Sequence, residues 1–451
     1  MRIMRFPKSM VTLLAAWYAL APTMAAAAAG PSLIRDAEIE SYLHDYTAPI
    51  FGAAGIDPAS VHIYIVNDPR INAFVAGGMN LFLHTGLLMR AQTANQVIGV
   101  IAHETGHIAG GHLVRTKDVQ RAATIEAIVA MVLGIGGGVA SGNPSVAGAG
   151  IAAGPALAMT QMLQFTRTQE ASADAAGLGF LDATGQTARG MYEMFDMLLK
   201  DARLTGSATA NPFLQTHPLT QARMDHIQQA MATSPYTNAP LNPQLEEDQR
   251  RIRAKILGFM NPLEDVMKAY PDSDNSFAAR YARAIAWYRA ADLAKAVPAV
   301  DLLIQEEPDN PFLKELKGQM FFENGRTADS VTAYRQAVKL RPDIPLLRIE
   351  LAQSLIETNE AAANSEAIQH LEVATGLEPR NVHGWRLLTV AYGRDNQMPM
   401  VALAQAEIAM LQGDDKKAKD YARRAQDGLP PGSPGALRAE DILFQISKSE
   451  D

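Results

Sequence analysis

Four prolines recur at nearly constant intervals through the C-terminal part of the chain, and this period constrains the fold more than any other feature of the sequence. The prolines are Pro271, Pro308, Pro342 and Pro379, separated by 37, 34 and 37 residues. An interval of this length accommodates two helices and the turns that join them. Because one such pair cannot bury its apolar face alone, the pairs must stack on one another. The sequence therefore predicts a solenoid of helix pairs over residues 271–451.

The most regular repeat lies between Pro308 and Pro342. It has small residues where helices approach closely and aromatic residues that fill the space between them: Gly318, Phe321, Gly325, Tyr334 and Ala337. A 34-residue period with this pattern is typical of tetratricopeptide (TPR) repeats. We expect about four repeats, the last irregular because the period is lost after Trp385; a non-repeating helical bundle is the alternative. Residues 236–270, which contain LNPQLEEDQRRIRAKILG, are expected to form a connecting helix and linker.

Residues 1–29 have the pattern of a secretory signal peptide. Arg2, Arg5 and Lys8 give the segment a basic start. An apolar run follows over residues 10–21, and the small residues of MAAAAAG suit cleavage. Because the apolar run is short for a membrane-spanning helix, we expect a cleaved export signal rather than an uncleaved anchor.

Cysteine content and net charge limit the kinds of functional site and binding partner that this chain can have. The sequence contains no cysteine, which excludes disulfides, a thiol nucleophile and a cysteine-ligated zinc site. Any metal must therefore be held by histidines and carboxylates. The net charge is −8 and no dense stripe of lysine and arginine occurs, so we do not expect nucleic-acid binding.

The part of the chain from residue 30 to residue 235 mixes helices with short strands. DAEIESYLHDYTAPIF is an amphipathic helix pattern, and VHIYIVND alternates as a strand does. INAFVAGG and NLFLHTG are two short strand patterns around Gly77 and Gly78, which indicate a hairpin. ANQVIGVIAHETGHIA has helical periodicity, with Thr93 or Asn95 as its N-cap. The predicted fold class is mostly α with a small β-sheet.

No charged residue occurs from residue 127 to residue 166, and the middle of this segment is rich in glycine and alanine. The clustered glycines leave no continuous apolar run of the roughly 20 residues that a spanning helix needs. We expect a mobile lid or an element that touches a membrane surface. A pair of buried helices is the alternative.

The run HETGH, residues 103–107, has the spacing of a metal-binding helix. Positions four apart on a helix differ by about 40° of rotation. His103 and His107 therefore project from one face and can bind one Zn²⁺. Glu104 is rotated by about 100° from His103, which places it beside the metal. That position suits a base that takes a proton from the attacking water.

A catalytic zinc site needs a third protein ligand. His112 follows His103 by nine residues, which is about 180° away on a continued helix, so helix pitch points it away from the metal. Glu170 and Asp174 in RTQEASADAAG are four apart, and the alanines around them let this helix approach the first one closely. One carboxylate can bind the metal, and the other can accept the remaining N–H of a ligand histidine.

Two further candidates come from THPLTQAR. His217 precedes a proline and is therefore expected on a non-helical turn. It is either a surface-loop histidine or a group that reaches the open metal position or the scissile carbonyl. Arg223 could pair with Asp174 or stabilise an oxyanion. We take Glu104 and Arg223 as the candidate catalytic residues.

The order of these motifs resembles that of the HExxH zinc peptidases, which include the CAAX prenyl protease and the heat-shock protease HtpX. The motifs are HETGH followed by His112, then RTQEASADAAG, then THP and Arg223. The resemblance covers about residues 35–230. It implies a zincin-like (gluzincin) fold with one zinc ion, and it implies a role for each candidate. The zinc ligands would be His103, His107 and Glu170, with Glu104 as the catalytic base and Asp174 as support for a ligand.

The resemblance also implies how substrates reach the site. His217 would occupy the fourth zinc position in a latent enzyme, and residues 127–166 would form a plug. The substrate would lie along an edge strand formed by Asn72, Ala73, Phe74 and Val75.

An export signal, a peptidase domain and C-terminal TPR repeats together are similar to the periplasmic members of this family. This similarity implies a periplasmic zinc endopeptidase that cleaves unfolded or stalled outer-membrane proteins and contacts the outer-membrane assembly machinery through its repeats. Residues 127–166 are the candidate for peripheral membrane contact. The alternative is a TPR chaperone or scaffold with latent or incidental proteolysis. Spanning helices like those of the integral-membrane relatives are not expected here, so a prenylated substrate is not expected either.

Overall fold

The computed structural model describes residues 32–112, 165–205 and 211–450. In these ranges the chain is mostly helical with one small sheet, which confirms the predicted fold class. The predicted signal peptide, residues 1–29, lies outside the described residues. So do residues 127–164 of the predicted lid.

The sheet has four strands in the order β1-β2-β4-β3. The strands are β1 (Ser32–Ile34), β2 (His62–Asn67), β3 (Ala73–Ala76) and β4 (Asn80–His84). β2 and β4 run parallel, and β1 and β3 pair antiparallel with their neighbours. β3 therefore lies at one end of the sheet, with β4 as its paired neighbour among the described strands.

The predicted hairpin around Gly77 and Gly78 is confirmed as the β3–β4 connection. Both glycines have positive φ, 54° and 88°, a conformation that costs other residues more than glycine. The Asn80 side-chain amide donates to the carbonyl oxygens of Ala76 (3.1 Å) and Gly77 (2.7 Å) and closes the turn. The hairpin thus sets the register of the edge strand β3.

The helices around the sheet are α1 (Ala37–Ala53), α2 (Thr85–Arg90), α3 (Ala94–Ala109), α4 (Arg167–Ala183), α5 (Arg189–Thr205), α6 (Pro212–Thr216) and α7 (Gln221–Thr233). α3 carries HETGH and lies at the centre, in contact with α1, α4, α5 and β3. Thr93 is its N-cap and accepts a hydrogen bond from the backbone N–H of Gln96 (3.2 Å).

Glycines allow α3 to lie very close to its neighbours. A Cβ at Gly106 would be 2.5 Å from the carbonyl oxygen of Ala173 on α4. A Cβ at Gly99 would be 2.5 Å from the backbone nitrogen of Met191 on α5. Because these are contacts with backbone atoms, a side chain at either position would push the helices apart. The alanine-rich pattern of α4 therefore reflects close packing against α3.

The C-terminal part consists of helices, beginning with α8 (Pro243–Met260) and α9 (Leu263–Ala269). Five helix pairs follow: α10 (Phe277–Arg289) with α11 (Leu293–Glu306), α12 (Pro311–Glu323) with α13 (Thr327–Leu340), α14 (Pro345–Glu357) with α15 (Ala361–Leu377), α16 (Val382–Arg394) with α17 (Met398–Leu411), and α18 (Asp415–Gly428) with α19 (Pro434–Glu450). The prediction of about four repeats misses the last pair. The turn before α18 has Asp414 as its N-cap and no proline, so the proline period does not mark it.

α8 joins the two parts of the chain, because it packs against α1, α2 and α3 on one side and against α10 on the other. Lys255 on α8 is buried, and its Nζ lies 2.9 Å from Asp36 and 3.1 Å from Glu38, both at the start of α1. On the other side it lies 3.6 Å from Glu315 on α12. Tyr281 on α10 donates its hydroxyl to Glu38 (2.7 Å). We call these five residues the Lys255 cluster.

In the described ranges, none of the helices has both the length and the apolar character that crossing a bilayer requires.

Candidate metal centre

α3 supplies two imidazoles to a fully buried site. His103 and His107 are both 0% exposed, and their Nε2 atoms lie 3.2 Å apart. Asp174 accepts from the other ring nitrogen of His103 (2.8 Å). A carboxylate can only accept when ionised, so Nδ1 of His103 carries the proton and Nε2 presents its lone pair to the centre.

α4 brings Glu170 to the same point. Its Oε1 lies 3.2 Å from Nε2 of His107, and its Oε2 lies 3.5 Å from Nε2 of His103. Glu170 is in the first turn of α4, where the helix dipole favours a negative charge. Thr166 and Gln169 form a capping box that fixes this turn.

His217 follows α6 and completes the group. Its Nδ1 lies 3.2 Å from Nε2 of His103 and 3.1 Å from Oε1 of Glu170. The ring stacks on Phe213, with 4.7 Å between centroids and 29° between planes. Its backbone is non-helical, as expected for a residue before proline. His217 is therefore held in the site, and the surface-loop alternative is wrong.

The donor atoms fit a tetrahedral zinc ion. Ligand atoms of four residues lie within 4.8 Å of one another: His103, His107, Glu170 and His217. Tetrahedral donors at about 2.0–2.1 Å from zinc are about 3.3–3.4 Å apart. The separations between His103 and each of the other three residues, and between Glu170 and both His107 and His217, are 3.1–3.5 Å when the nearer oxygen of Glu170 is taken. Neutral histidines and an ionised carboxylate at these distances turn their lone pairs toward one point, which a shared cation would stabilise. A set of histidines and one carboxylate is also a donor set that zinc prefers.

The charges of the site keep His107 and Glu170 in the states that metal binding requires, whereas His103 holds a proton that a metal ion has to displace. Burial lowers the pKa of His107 well below its ordinary value, so this imidazole is neutral. Burial also acts on His103, but hydrogen bonds to Asp174 and Glu170 outweigh it and raise its pKa to about 9. A metal ion must therefore displace a proton from His103 at neutral pH. Burial would raise the pKa of Glu170, yet the surrounding histidines lower it strongly and keep it ionised.

Arg223 on α7 lies behind the ligands. Its guanidinium donates to both oxygens of Asp174 (2.6 and 2.8 Å) and to the carbonyl oxygen of Pro218 (3.0 Å), and its Nη1 lies 2.6 Å from Oε2 of Glu170. Against the cost of burial, hydrogen bonds from Arg223 and His103 lower the pKa of Asp174 to about 2. These contacts commit the guanidinium to holding Asp174 and Glu170. They favour a positioning role over the predicted catalytic role of Arg223.

Glu104 is fully buried beside the donor atoms. Neither of its carboxylate oxygens has a hydrogen-bond partner among the described residues. Its Oε1 lies 3.3 Å from Nε2 of His217. Burial raises the pKa of Glu104 above its ordinary value. A carboxylate in this state can accept a proton more readily than an exposed one.

His112 corrects the argument from helix pitch. α3 ends at Ala109, and Gly111 has φ 60°, so the chain turns back instead of continuing as a helix. The Nδ1 of His112 reaches 2.9 Å from Nδ1 of His107, on the side away from the donor atoms. His112 is not one of the four clustered ligands, but it contacts one of them.

Phe165 is a site residue that the sequence reasoning did not identify. It stacks on His107 with 3.8 Å between centroids and 26° between planes. It lies at the end of the segment predicted as a lid, and the next residue, Thr166, is the N-cap of α4. The predicted boundary at residue 166 therefore includes two residues that belong to the start of α4. An aromatic directly before a capping box is the signal that could have identified Phe165.

The predicted substrate strand coincides with β3, except that Asn72 precedes the strand. The backbone N–H of His84 donates to the carbonyl oxygen of Asn72 (3.1 Å). This bond turns the backbone groups of Asn72 and Phe74 toward β4, so those of Ala73 and Val75 point away from the sheet. β3 packs against α3, next to the helix that carries two of the donors.

Comparison with known proteins agrees with this geometry. Residues 35–231 match the model of peptidase family M48. The beta-barrel assembly-enhancing protease of Escherichia coli K12 is 24% identical over 427 residues, covering 93% of this chain and 85% of that protein. The protein of the same name from Yersinia pestis is 25% identical over 93% of this chain and 86% of its own length. Metalloprotease LoiP of E. coli K12 is 31% identical over 39% of this chain and 64% of its own length.

Proposed function

Since residues 35–231 form a domain of peptidase family M48 and the chain is a metalloprotease, we propose that it is a zinc-dependent endopeptidase that cleaves unfolded polypeptides. The observation that carries this proposal is the buried group of three histidines and one glutamate with Glu104 beside it. His103, His107 and Glu170 would hold the ion. Bound zinc polarises a peptide carbonyl and makes water a stronger acid.

The residues around the ion have separate tasks in this reaction. Glu104 takes a proton from the attacking water and returns it to the leaving amine. Asp174 holds the ring of His103 in the ligating tautomer. Arg223 keeps Asp174 ionised and holds Asp174 and Glu170 in place. These tasks use only contacts between buried side chains, so the site is preorganised.

The edge strand β3 would bind the substrate. An extended chain can add to the sheet by pairing with the backbone groups of Ala73 and Val75 that point away from β4. Such pairing reads the backbone rather than the side chains. It therefore suits a protease whose substrates share an unfolded state rather than a sequence.

Two relatives covered over most of their length are named beta-barrel assembly-enhancing proteases. We assign this chain to the assembly and quality control of outer-membrane proteins, with stalled or unfolded outer-membrane proteins as substrates. We place it in the periplasm, with residues 1–29 as a cleaved signal and residues 127–166 as a candidate for peripheral membrane contact. The peptidase domain would comprise residues 30–235, the connecting segment residues 236–270, and the partner-binding repeats residues 271–451.

The test of the enzymatic proposal compares the wild-type protein with Glu104→Gln. Both are incubated with casein or with an unfolded outer-membrane protein, and cleavage is followed on gels. We expect Glu104→Gln to bind zinc and to lose about 10²-fold or more of the activity. Glu247→Gln, which changes a partly exposed glutamate on α8, is the matched control and should retain activity. Equal cleavage by wild type and Glu104→Gln would remove Glu104 from the mechanism.

We propose that His217 holds the enzyme latent by taking the fourth position at the metal, where a substrate carbonyl would bind. Its Nδ1 lies among the donor atoms, and its ring is held by Phe213. We expect His217→Ala to increase the rate of casein cleavage with the zinc content unchanged. A lower or unchanged rate at full zinc content would contradict the latch.

A scaffold or chaperone role for the repeats is the second candidate function, favoured by the five stacked helix pairs. The discriminating experiment is complementation of a deletion strain. If Glu104→Gln restores outer-membrane assembly as well as the wild type does, binding by the repeats is the dominant role. If it fails while its expression level is normal, proteolysis is required.

A further inference from the structure

The metal-binding helix ends in a Schellman motif, and this motif determines where His112 lies. Gly111 is the left-handed residue after the helix, with φ 60°. Its backbone N–H donates to the carbonyl oxygen of Ile108 (3.0 Å), and that of His112 donates to the carbonyl oxygen of His107 (3.2 Å). These are the two hydrogen bonds of the motif, which brings the residue after the left-handed glycine over the last turn of the helix. That contact is usually apolar, whereas here it joins two histidines.

The imidazole of His112 meets the outer edge of the His107 imidazole. Their Nδ1 atoms are 2.9 Å apart, and the ring planes make an angle of 75°. Because Nε2 of His107 faces the other donors, its Nδ1 carries the proton and donates it to the lone pair on Nδ1 of His112. Asp174 accepts from Nδ1 of His103 in the same way. His112 therefore does for one ligand what Asp174 does for the other.

Gly110 provides the space for this ring. A Cβ at position 110 would lie 2.5 Å from Nε2 and 2.8 Å from Cε1 of His112. The backbone of Gly110 is right-handed helical, with φ −71°, and any residue adopts that conformation. The His112 ring, not the backbone, excludes a side chain at this position.

His112 also connects the two helices that carry the ligands. Its carbonyl oxygen accepts from Nε2 of Gln169 on α4 at 3.5 Å. Gln169 belongs to the capping box and directly precedes Glu170. The end of α3 is thus joined to the beginning of α4 at the point where both supply donors.

We propose that His112 is a positioning residue of the zinc site, which accepts the hydrogen bond of His107 and fixes the tautomer and the orientation of that ligand. The inference rests on the zinc site of the proposed function. In this proposal each histidine of α3 has its own hydrogen-bond acceptor. His103 has the anionic Asp174, and His107 has the neutral imidazole of His112. Loss of such a group lowers metal affinity without removing a ligand.

The test measures zinc affinity of the purified full-length protein by competition with a chromophoric chelator. Oδ1 of asparagine is two bonds from Cβ, as Nδ1 of histidine is, so His112→Asn retains an acceptor at this place. His112→Leu has similar size but no acceptor, and His112→Gln carries its oxygen one bond too far out. We expect the Leu and Gln variants to bind zinc about 10- to 100-fold more weakly. His112→Asn should stay close to the wild type.

The exposed residue His226 on α7 provides the control, and His226→Asn should not change zinc affinity. Wild-type affinity in both the Leu and Gln variants overturns the proposal. The proposal is also overturned if His112→Asn loses as much zinc affinity as the Leu and Gln variants do. If His112→Leu does not fold, the comparison of Asn with Gln still decides. The readout needs no hydrolysis, so the ranking of variants stands even if Glu104→Gln proves active. A wild-type protein that binds no zinc would instead overturn both proposals.

A double-mutant cycle tests the same contact from the glycine side. Gly110→Ala should weaken zinc binding in the wild-type background, because its Cβ displaces the His112 ring. In the His112→Ala background the whole imidazole is gone, so the added Cβ meets none of its atoms, and Gly110→Ala should have little further effect. Equal effects in both backgrounds would show that Gly110 does not act through His112, and would count against the proposal.

Discussion

Arg223 shows how single residues support the site from behind. It is 6% exposed and lies between two ionised carboxylates that are themselves 0% exposed. A buried charge left without its partner is destabilising by about 3–5 kcal/mol. The guanidinium therefore stabilises the fold and the site together, because it compensates the buried charge of Asp174 and contacts Glu170, which the surrounding histidines keep ionised.

The contacts of Arg223 lead to a prediction that separates positioning from oxyanion stabilisation. We expect Arg223→Gln to lower the melting temperature and the zinc affinity, since it leaves buried carboxylates uncompensated. The zinc-saturated variant should keep kcat within about threefold of wild type. An oxyanion donor would instead cost about 10²–10³ in kcat. Titration with zinc before the kinetic measurement separates the two results. A large loss of kcat at saturating zinc would restore Arg223 to a catalytic role.

The sequence was informative about this site wherever helix arithmetic applies. Two donors four residues apart, and two carboxylates four residues apart, must share a face once their segments are helices. The same arithmetic agrees with the absence of His112 from the four clustered donors, but it misplaces the ring because it assumes that the helix continues. Gly110 and Gly111 mark the end of the helix in the sequence. The turn that they form reverses the direction of the next side chain, that of His112.

At the scale of helices, the distance between α3 and α4 decides whether the donors meet. Glycine at position 106 lies inside HETGH, between Glu104 and the second histidine of the motif. It is one of the positions where a Cβ would touch backbone atoms of the facing helix. The two variable positions of an HExxH motif are thus not equally tolerant of substitution in this chain, because Gly106 occupies one of them and sets the spacing of α3 and α4.

We expect Gly106→Ala to destabilise the protein by about 1–3 kcal/mol and to weaken zinc binding. The Cβ would lie 2.5 Å from the carbonyl oxygen of Ala173 and would separate Glu170 from the histidines. Gly179→Ala on α4 is the matched control, because nothing lies within 4 Å of its added Cβ. That change should stabilise the helix by up to about 1 kcal/mol. Chemical denaturation of both variants provides the measurement. Similar stabilities would contradict the packing argument.

Element types could be predicted better than element numbers. The hairpin, the strand β2 and the N-cap of α3 follow from local signals that the fold retains. The fifth helix pair could not be predicted from the proline period. Its first helix is capped by Asp414, and its second begins at Pro434 after an irregular turn. A helix pair is specified by its packing face, and proline marks only some of the turns.

At the scale of the whole molecule, the Lys255 cluster joins the peptidase part to the repeats through buried charges. Burial, opposed by Lys255 and reinforced by Asp36 and Glu38, raises the pKa of Glu315 to about 7. Burial likewise raises the pKa of Glu350 on α14 well above its ordinary value, and Glu315 adds to that effect. The carboxyl groups of Glu315 and Glu350 in this junction therefore stay protonated in the folded protein at pH values where they are ionised in the unfolded chain.

The sign of this effect gives a pH prediction. Glu315 in the folded protein holds its proton up to about pH 7, whereas the unfolded chain releases it near pH 4.5. The contribution of Glu315 to stability should fall as the pH rises from about 4.5 to about 7 and stay low above that range. Glu315→Gln should therefore raise the melting temperature by about 2 °C or more at pH 8 and have little effect at pH 4.5. Calorimetry at both pH values tests this. Glu357→Gln, on the exposed face of α14, is the control, and an equal response of the two variants would contradict the prediction.

The Lys255 cluster also bears on how chains of this kind can recombine. Its residues come from the start of α1, from α8, and from the first two helix pairs. A genetic recombination that replaced α8 or those pairs by segments from an unrelated protein would leave a buried charge of the hybrid without its partner. Pairs beyond α15 contribute no residue to the cluster, so a lineage can gain, lose or exchange them there. We expect the first two repeats to be inherited with the protease, and the distal repeats to vary with the partners that each lineage acquires.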